Sequence, residues 1–72
     1  MFGVKTVLIQ INAKPTEIAD GCSLQDLMLE RQMSARAVIT ELNGQMVQPE
    51  QRGKTKLKPN DKLEIIHILG GG

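Results

Sequence analysis

Aromatic side chains are almost missing from this chain: Phe2 stands alone, with neither Trp nor Tyr. Recognition of unpaired bases relies on aromatic stacking platforms, and here there are none to offer. Charge of one sign is missing too. Nine Lys and Arg face eight Asp and Glu, a formal net charge of +1, which is too balanced for a protein that lives on a phosphate backbone. Nucleic acid is therefore not an expected partner. Cysteine occurs once, at Cys22, so no intramolecular disulfide framework exists and a reducing cytosol suits the chain. No stretch approaches the ~20 apolar residues of a membrane span. Met1-Phe2-Gly3-Val4-Lys5, followed by a strand pattern, is not a secretory signal. A soluble, cytoplasmic protein is expected.

Reactive constellations are equally scarce. His67 has no second His, Cys or paired carboxylate at ligand spacing, so no metal site is expected, and His67 reads as a sheet-surface residue. Seventy-two residues make one domain, and a chain of this size buries only ~60% of the surface its unfolded form exposes. Its single thin core cannot easily enclose a substrate away from water. A carrier, a binding module or a subunit fits better than a self-sufficient enzyme.

What is present is a series of short, varied periodicities. Val7, Ile9 and Ile11 alternate with Leu8, Gln10 and Asn12, predicting a strand with one apolar face. Asn12-Ala13-Lys14-Pro15 reads as a turn and Thr16 to Ala19 as a short returning strand. Ser23, with Asp26 three residues on, forms a variant of the capping box ahead of Leu24, Leu27 and Met28 at helical spacing. The helix predicted there ends between Arg31 and Ser34, because Val38 to Leu42 returns to a β-branched composition. Asn43-Gly44 supplies the positive φ angles of a tight hairpin turn, from which Gln45-Met46-Val47 runs back. Gln48 to Lys56 is polar, contains Pro49 and Gly53, and reads as loop with room for a helical turn. Pro59-Asn60-Asp61 turns the chain into a last strand from Lys62 to Leu69, whose Leu63 and Ile65 share one face while Ile66 and Ile68 share the other. A right-handed crossover would set this last strand beside the first.

The residues next to be weighed each have two readings. Gly70-Gly71-Gly72 contributes no packing and carries a large entropic cost on ordering. It is either a frayed end or linker remnant, or a thin arm reaching roughly 10 Å that threads a channel closed to ordinary side chains and delivers a carboxylate. Ile66 and Ile68, beside that arm, are either a partner patch or buried against the chain itself. Cys22 lies just ahead of the helix, where the macrodipole can lower a thiol pKa, but a small half-buried cysteine is the preferred reading. Arg52, Lys54, Lys56, Lys58 and Lys62 form the one local charge run, read as a solvated loop, with an acidic partner surface as the alternative. Met28, Leu29 and Met33 read as core or helix-edge packing.

The order of elements, the size and the glycine tail resemble the ubiquitin-like β-grasp domains, and the local words are similar to the ThiS family of sulfur carriers. Those words are Ile11-Asn12, the stretch from Gly21 to Leu27, the stretch from Leu42 to Val47, Thr55-Lys56-Leu57, the stretch from Asn60 to Ile65, and the terminal glycines. The resemblance runs from about Ile9 to Gly72. The first seven residues look like an extension, Arg52 sits where many relatives carry an aromatic, and Ala13 replaces a frequent glycine.

The resemblance implies an α+β fold, a small mixed sheet of four to five strands with one main helix packed across it. Residues 1–69 would form the domain and residues 70–72 a flexible tail. It further implies a carrier rather than an enzyme, monomeric when free and with no bound cofactor. A ThiF-like partner would use ATP to adenylate Gly72, a persulfide donor would convert the adenylate to a thiocarboxylate, and a ThiG-like thiazole synthase would take up the sulfur in thiamin biosynthesis. Gly70 and Gly71 would thread into the partner, while Ile66 and Ile68 are the patch candidates. The small subunit of molybdopterin synthase, a ubiquitin-like protein modifier and a plain β-grasp interaction module stand as alternatives. The first of these usually carries an early aromatic- and arginine-containing segment that this chain lacks.

Overall fold

A computed structural model describes residues 3, 5–33 and 37–68 of the chain. Five strands, β1 (Thr6–Ile11), β2 (Lys14–Ala19), β3 (Val38–Leu42), β4 (Gln45–Val47) and β5 (Lys62–His67), are joined by one α-helix, α1 (Leu24–Glu30), and a 3-10 helix (Pro49–Lys54). They form one sheet in the order β2-β1-β5-β3-β4. β1 and β5 run parallel, and every other neighbouring pair is antiparallel. The last strand does lie beside the first, and the architecture is the mixed sheet with one helix that the alternation predicts.

Strand alternation assigns the two faces. Ile9 and Ile18 from the first hairpin, Val38 from β3, and Leu63 and Ile65 from β5 are buried against Leu24, Leu27 and Met28 of the helix. Those three helical residues recur at the spacing of one helix face. Leu29 is the exception among the apolar residues assigned there: it is 64% exposed, because it lies two residues past Leu27 and therefore about 200° around the helix from it. Leu57, after the 3-10 helix, is also buried in the core, tied there by its N–H donating to the Cys22 carbonyl at 3.0 Å.

Local chemistry fixes the helix ends. The Asp26 N–H donates to Ser23 Oγ at 3.0 Å and the Ser23 N–H donates to Asp26 Oδ2 at 3.1 Å, a reciprocal capping box. At the other end Gln32 takes φ 57, its N–H bonds the Leu29 carbonyl, and the Met33 N–H bonds the Met28 carbonyl. This is a Schellman closure, and it turns Met33 back against the core.

The first turn is tighter than the sequence reading. Ile11 pairs directly with Lys14, so only Asn12 and Ala13 form the loop, with φ 51 and 69, the signs of a type I′ turn. Lys14 and Pro15 belong to β2. Pro15 is tolerated because it faces Gln10, whose own N–H points the other way, to the Asp61 carbonyl. Pro15 is thus at a non-hydrogen-bonded position of an edge strand. The second turn, Asn43 and Gly44, has φ 52 and 87 as anticipated.

Both turn asparagines bind β5. The Asn12 carboxamide accepts from the Ile65 N–H at 2.8 Å and donates to the Ile65 carbonyl at 3.2 Å, standing in for a peptide group where β1 turns away. Asn43 Oδ1 accepts from the Lys62 N–H at 2.9 Å and its Nδ2 donates to Asp61 Oδ1 at 3.0 Å.

Two measurements check the capping box. Ser23→Ala should lower unfolding free energy by about 1 kcal/mol in denaturant titration. The Ser23 N–H, and then its hydroxyl, hold the Asp26 carboxyl below the usual carboxylate range. The contribution of a carboxyl with a lowered folded pKa is present above its unfolded pKa and is lost as pH falls through the folded value. Below about pH 4, therefore, the fall in stability on acidification should be shallower in Asp26→Asn than in the natural sequence.

Candidate functional site

The outward face of the sheet carries the residues that the sequence singled out. Along β5 the odd positions Leu63 and Ile65 enter the core, so Ile66 turns outward and is 46% exposed, and Ile68 just beyond the strand is 49% exposed. Their side chains are open to a partner, not buried against the chain. Strand register adds two residues that the sequence reading did not single out. Ile39 lies opposite Ile66 in the β3–β5 pair and Met46 lies opposite Glu41 in the β3–β4 pair, so the four form an apolar stripe running towards the C-terminal end of β5. The signal for Met46 was in the sequence: a two-residue turn at Asn43-Gly44 forces it to face Glu41, outward. Leu8 is also exposed but sits elsewhere, its carbonyl accepting the Asn60 N–H at 2.8 Å.

Ile68 is the last described residue, and it is still held to the sheet. Its N–H donates to the Ala37 carbonyl at 2.8 Å, extending the β3–β5 ladder past His67. Leu69 and the glycines Gly70, Gly71 and Gly72 lie outside the described residues.

Beside this exit, β4 stops early. Thr40 pairs with Val47, and the same register would set Pro49 opposite Val38. Proline has no N–H to donate, and the chain turns there into the 3-10 helix. Arg52, from that helix, occupies the gap. Its Nη2 donates to the Val38 carbonyl at 3.1 Å and its Nε to Thr40 Oγ1 at 3.2 Å, while Thr40 Oγ1 donates to the Val47 carbonyl at 2.9 Å. Arg52 is 1% exposed. This corrects the reading of Arg52 as part of a solvated charge run: Lys54, Lys56, Lys58 and Lys62 are exposed, but the guanidinium is an internal strut. A groove of about 650 Å³, lined among others by Val38, Ile39, Val47, Pro49, Arg52 and Ile68, opens at the same edge.

The remaining candidates are placed apart from this end. Cys22 is half-buried, and burial first, then the Asp26 and Glu30 charges, push its thiol pKa up. That disfavours the thiolate, so Cys22 is the packed cysteine and not an activated nucleophile. His67 is exposed in β5 across from Val38. Among the described residues no group of three or more His, Cys, Asp or Glu side chains is gathered as for a metal, and no helix is long and apolar enough to cross a membrane.

Known proteins share both this sequence and this fold. The ThiS family matches residues 9–72. The sulfur carrier protein ThiS of Bacillus subtilis is 32% identical over 66 residues, covering 90% of this chain and all of that protein. A thiazole synthase of Magnetococcus marinus is 28% identical over 64 residues, which take in 89% of this chain and 20% of that protein. The crystal structure of a thiamine biosynthesis protein, ThiS, from Geobacter metallireducens superposes with a TM-score of 0.79 at 28% identity, covering 92% of this chain and all of the other. The sheet and helix are those of a ubiquitin-like β-grasp domain. Matched in sequence from Ile9 through Gly72, and in fold by a family member, the chain belongs to the ThiS family.

Proposed function

We propose that this protein is a sulfur carrier whose reactive group is the Gly72 carboxylate. A carboxylate is a poor electrophile, so an ATP-dependent, ThiF-like enzyme adenylates it and releases pyrophosphate. The terminal sulfur of a persulfide donor then attacks the carbonyl and expels AMP. A thiol removes the donor as a disulfide, leaving a thiocarboxylate on the chain. This sulfur passes to thiazole formation for thiamin, in a ThiG-like synthase. The chain is co-substrate throughout, and the catalytic groups belong to its partners. ATP and reduced thiols suit a reducing compartment such as the cytoplasm.

The observation that carries this reading is the meeting of family match and geometry at one end of the molecule. The match continues to the last glycine, and the sheet holds the chain as far as Ile68, four residues short of the carboxylate. Gly70 and Gly71, without Cβ atoms, suit a narrow passage into a partner, and the stripe of Ile39, Ile66 and Ile68 beside the exit suits docking. The Bacillus subtilis relative bears the carrier's name. In the Magnetococcus marinus protein a resembling stretch is one part of a longer chain named for thiazole synthesis, which supports a synthase as the partner.

The test is the intact mass of the protein after incubation with ATP, a sulfur source and extract of its host, beside a variant lacking Gly71 and Gly72. The gain of one oxygen replaced by sulfur is expected only with the complete tail, and a chain with one alanine appended after Gly72 should not react. A ladder of heavier conjugates would mark a protein modifier instead. Ile66→Asp should raise the KM of the adenylating partner for the carrier by about tenfold or more, as loss of an interface anchor does. It should cost the free protein no more than about 1 kcal/mol of stability, and a larger thermal loss would assign Ile66 to the fold.

A further inference from the structure

We propose that Arg52 is a positioning residue for the C-terminal arm: by bonding the Val38 carbonyl where β4 has ended, it steadies the peptide next to the one that the last described residue leans on and so sets the point and direction from which the tail leaves the sheet. The proposal rests on the carrier reading above.

The geometry runs in four steps. In β3 the even residues turn their backbone groups towards β4 and the odd residues towards β5, as the Asn43 and Ala37 bonds to Lys62 and Ile68 require. Thr40 meets Val47, but Val38 would meet Pro49, which has no donor. Nη2 of Arg52 donates to the Val38 carbonyl in its place, and the same guanidinium reaches Thr40 Oγ1, which in turn holds the Val47 carbonyl. The end of β4, the edge of β3 and the 3-10 helix are thereby locked together. One residue before Val38, the Ala37 carbonyl accepts the Ile68 N–H.

The opposite side of β5 gives no such support there. β1 pairs with β5 only at Lys62 and Leu63, and the Asn12 carboxamide reaches no farther than Ile65. Past that point, among the described residues, the backbone bonds of β5 go to β3. Glycines impose no direction of their own, so whatever direction the arm has must come from its base. A reacting group displaced by about 1 Å can lose on the order of a hundredfold in rate, which makes the base of the arm worth bracing from within.

The test compares the natural sequence with Arg52→Met, which keeps the length of the side chain and removes its donors, with Arg52→Lys, which restores one, and with Lys54→Ala as a control for charge on the same helix. In the free protein, amide exchange at Ile68 should quicken about tenfold or more in Arg52→Met, less in Arg52→Lys and not in Lys54→Ala, while Leu63 and Ile65 keep their rates. With the adenylating partner, followed by exchange of labelled pyrophosphate into ATP, Arg52→Met should lower kcat about tenfold and leave KM within about twofold, because the docking face is intact and the arm is misdirected. Arg52→Lys should recover part of that loss. Unchanged exchange at Ile68, a loss confined to KM, or equal quickening at Ile65 and Leu63 would each overturn the positioning role. If the natural sequence itself supports no pyrophosphate exchange with a partner that adenylates a known carrier, the carrier reading falls and this role with it. A loss seen in Arg52→Met alone leaves the carrier reading standing.

Discussion

Everything in this molecule depends on the pairing of β5 with strands on both sides. The two hairpins, β1 with β2 and β3 with β4, share no edge, and only β5 between them makes one sheet and one core. Leu63 and Ile65 are its buried positions, and the turn asparagines at Asn12 and Asn43 are spent on its backbone. The helix closes one side of this sheet, and the outward residues Ile66 and Ile68 lie open on the other. Because β5 is also the last strand, the site proposed for chemistry hangs from the middle of the sheet and not from its rim.

Much of this was legible because local chemistry dictates it. Asn43-Gly44 needs positive φ, Ser23 and Asp26 need each other, and the alternation of Leu63, Ile65 and Ile66 divides a strand between core and solvent without reference to anything distant. The first turn was drawn two residues too long because Pro15 looks like a turn residue. On an edge strand its missing N–H faces away from the ladder, which only the pairing with Gln10 reveals. Leu29 was misassigned by composition, since it lies two residues beyond Leu27, about 200° around the helix, and falls on the side away from Leu24 and Leu27.

Arg52 was hidden for a different reason. Five basic residues between Arg52 and Lys62 look alike in sequence, and four are indeed solvated. What separates Arg52 is the register of β3 against β4, which runs out of donors at Pro49, and no local pattern encodes a donor missing across a sheet. Ile39 joins Ile66 through the same kind of distant pairing. The glycines were legible as a thin arm or a frayed end, and it was the resemblance to the carrier family that favoured the arm. The family match runs through them to Gly72, and the sheet holds the chain as far as Ile68.

The central place of β5 bears on how the chain comes to be folded. A lone hairpin is marginal in water, and each of the two here would leave an unpaired edge and part of its apolar face exposed until the strand that both require has been made. The earlier elements therefore have no stable resting state to wait in, and closure of the sheet is a late, non-local event. Folding should be all-or-none, and a nascent or truncated chain that stops before β5 should be degraded as unfolded protein, without lingering as a half-domain that competes for the same docking surface.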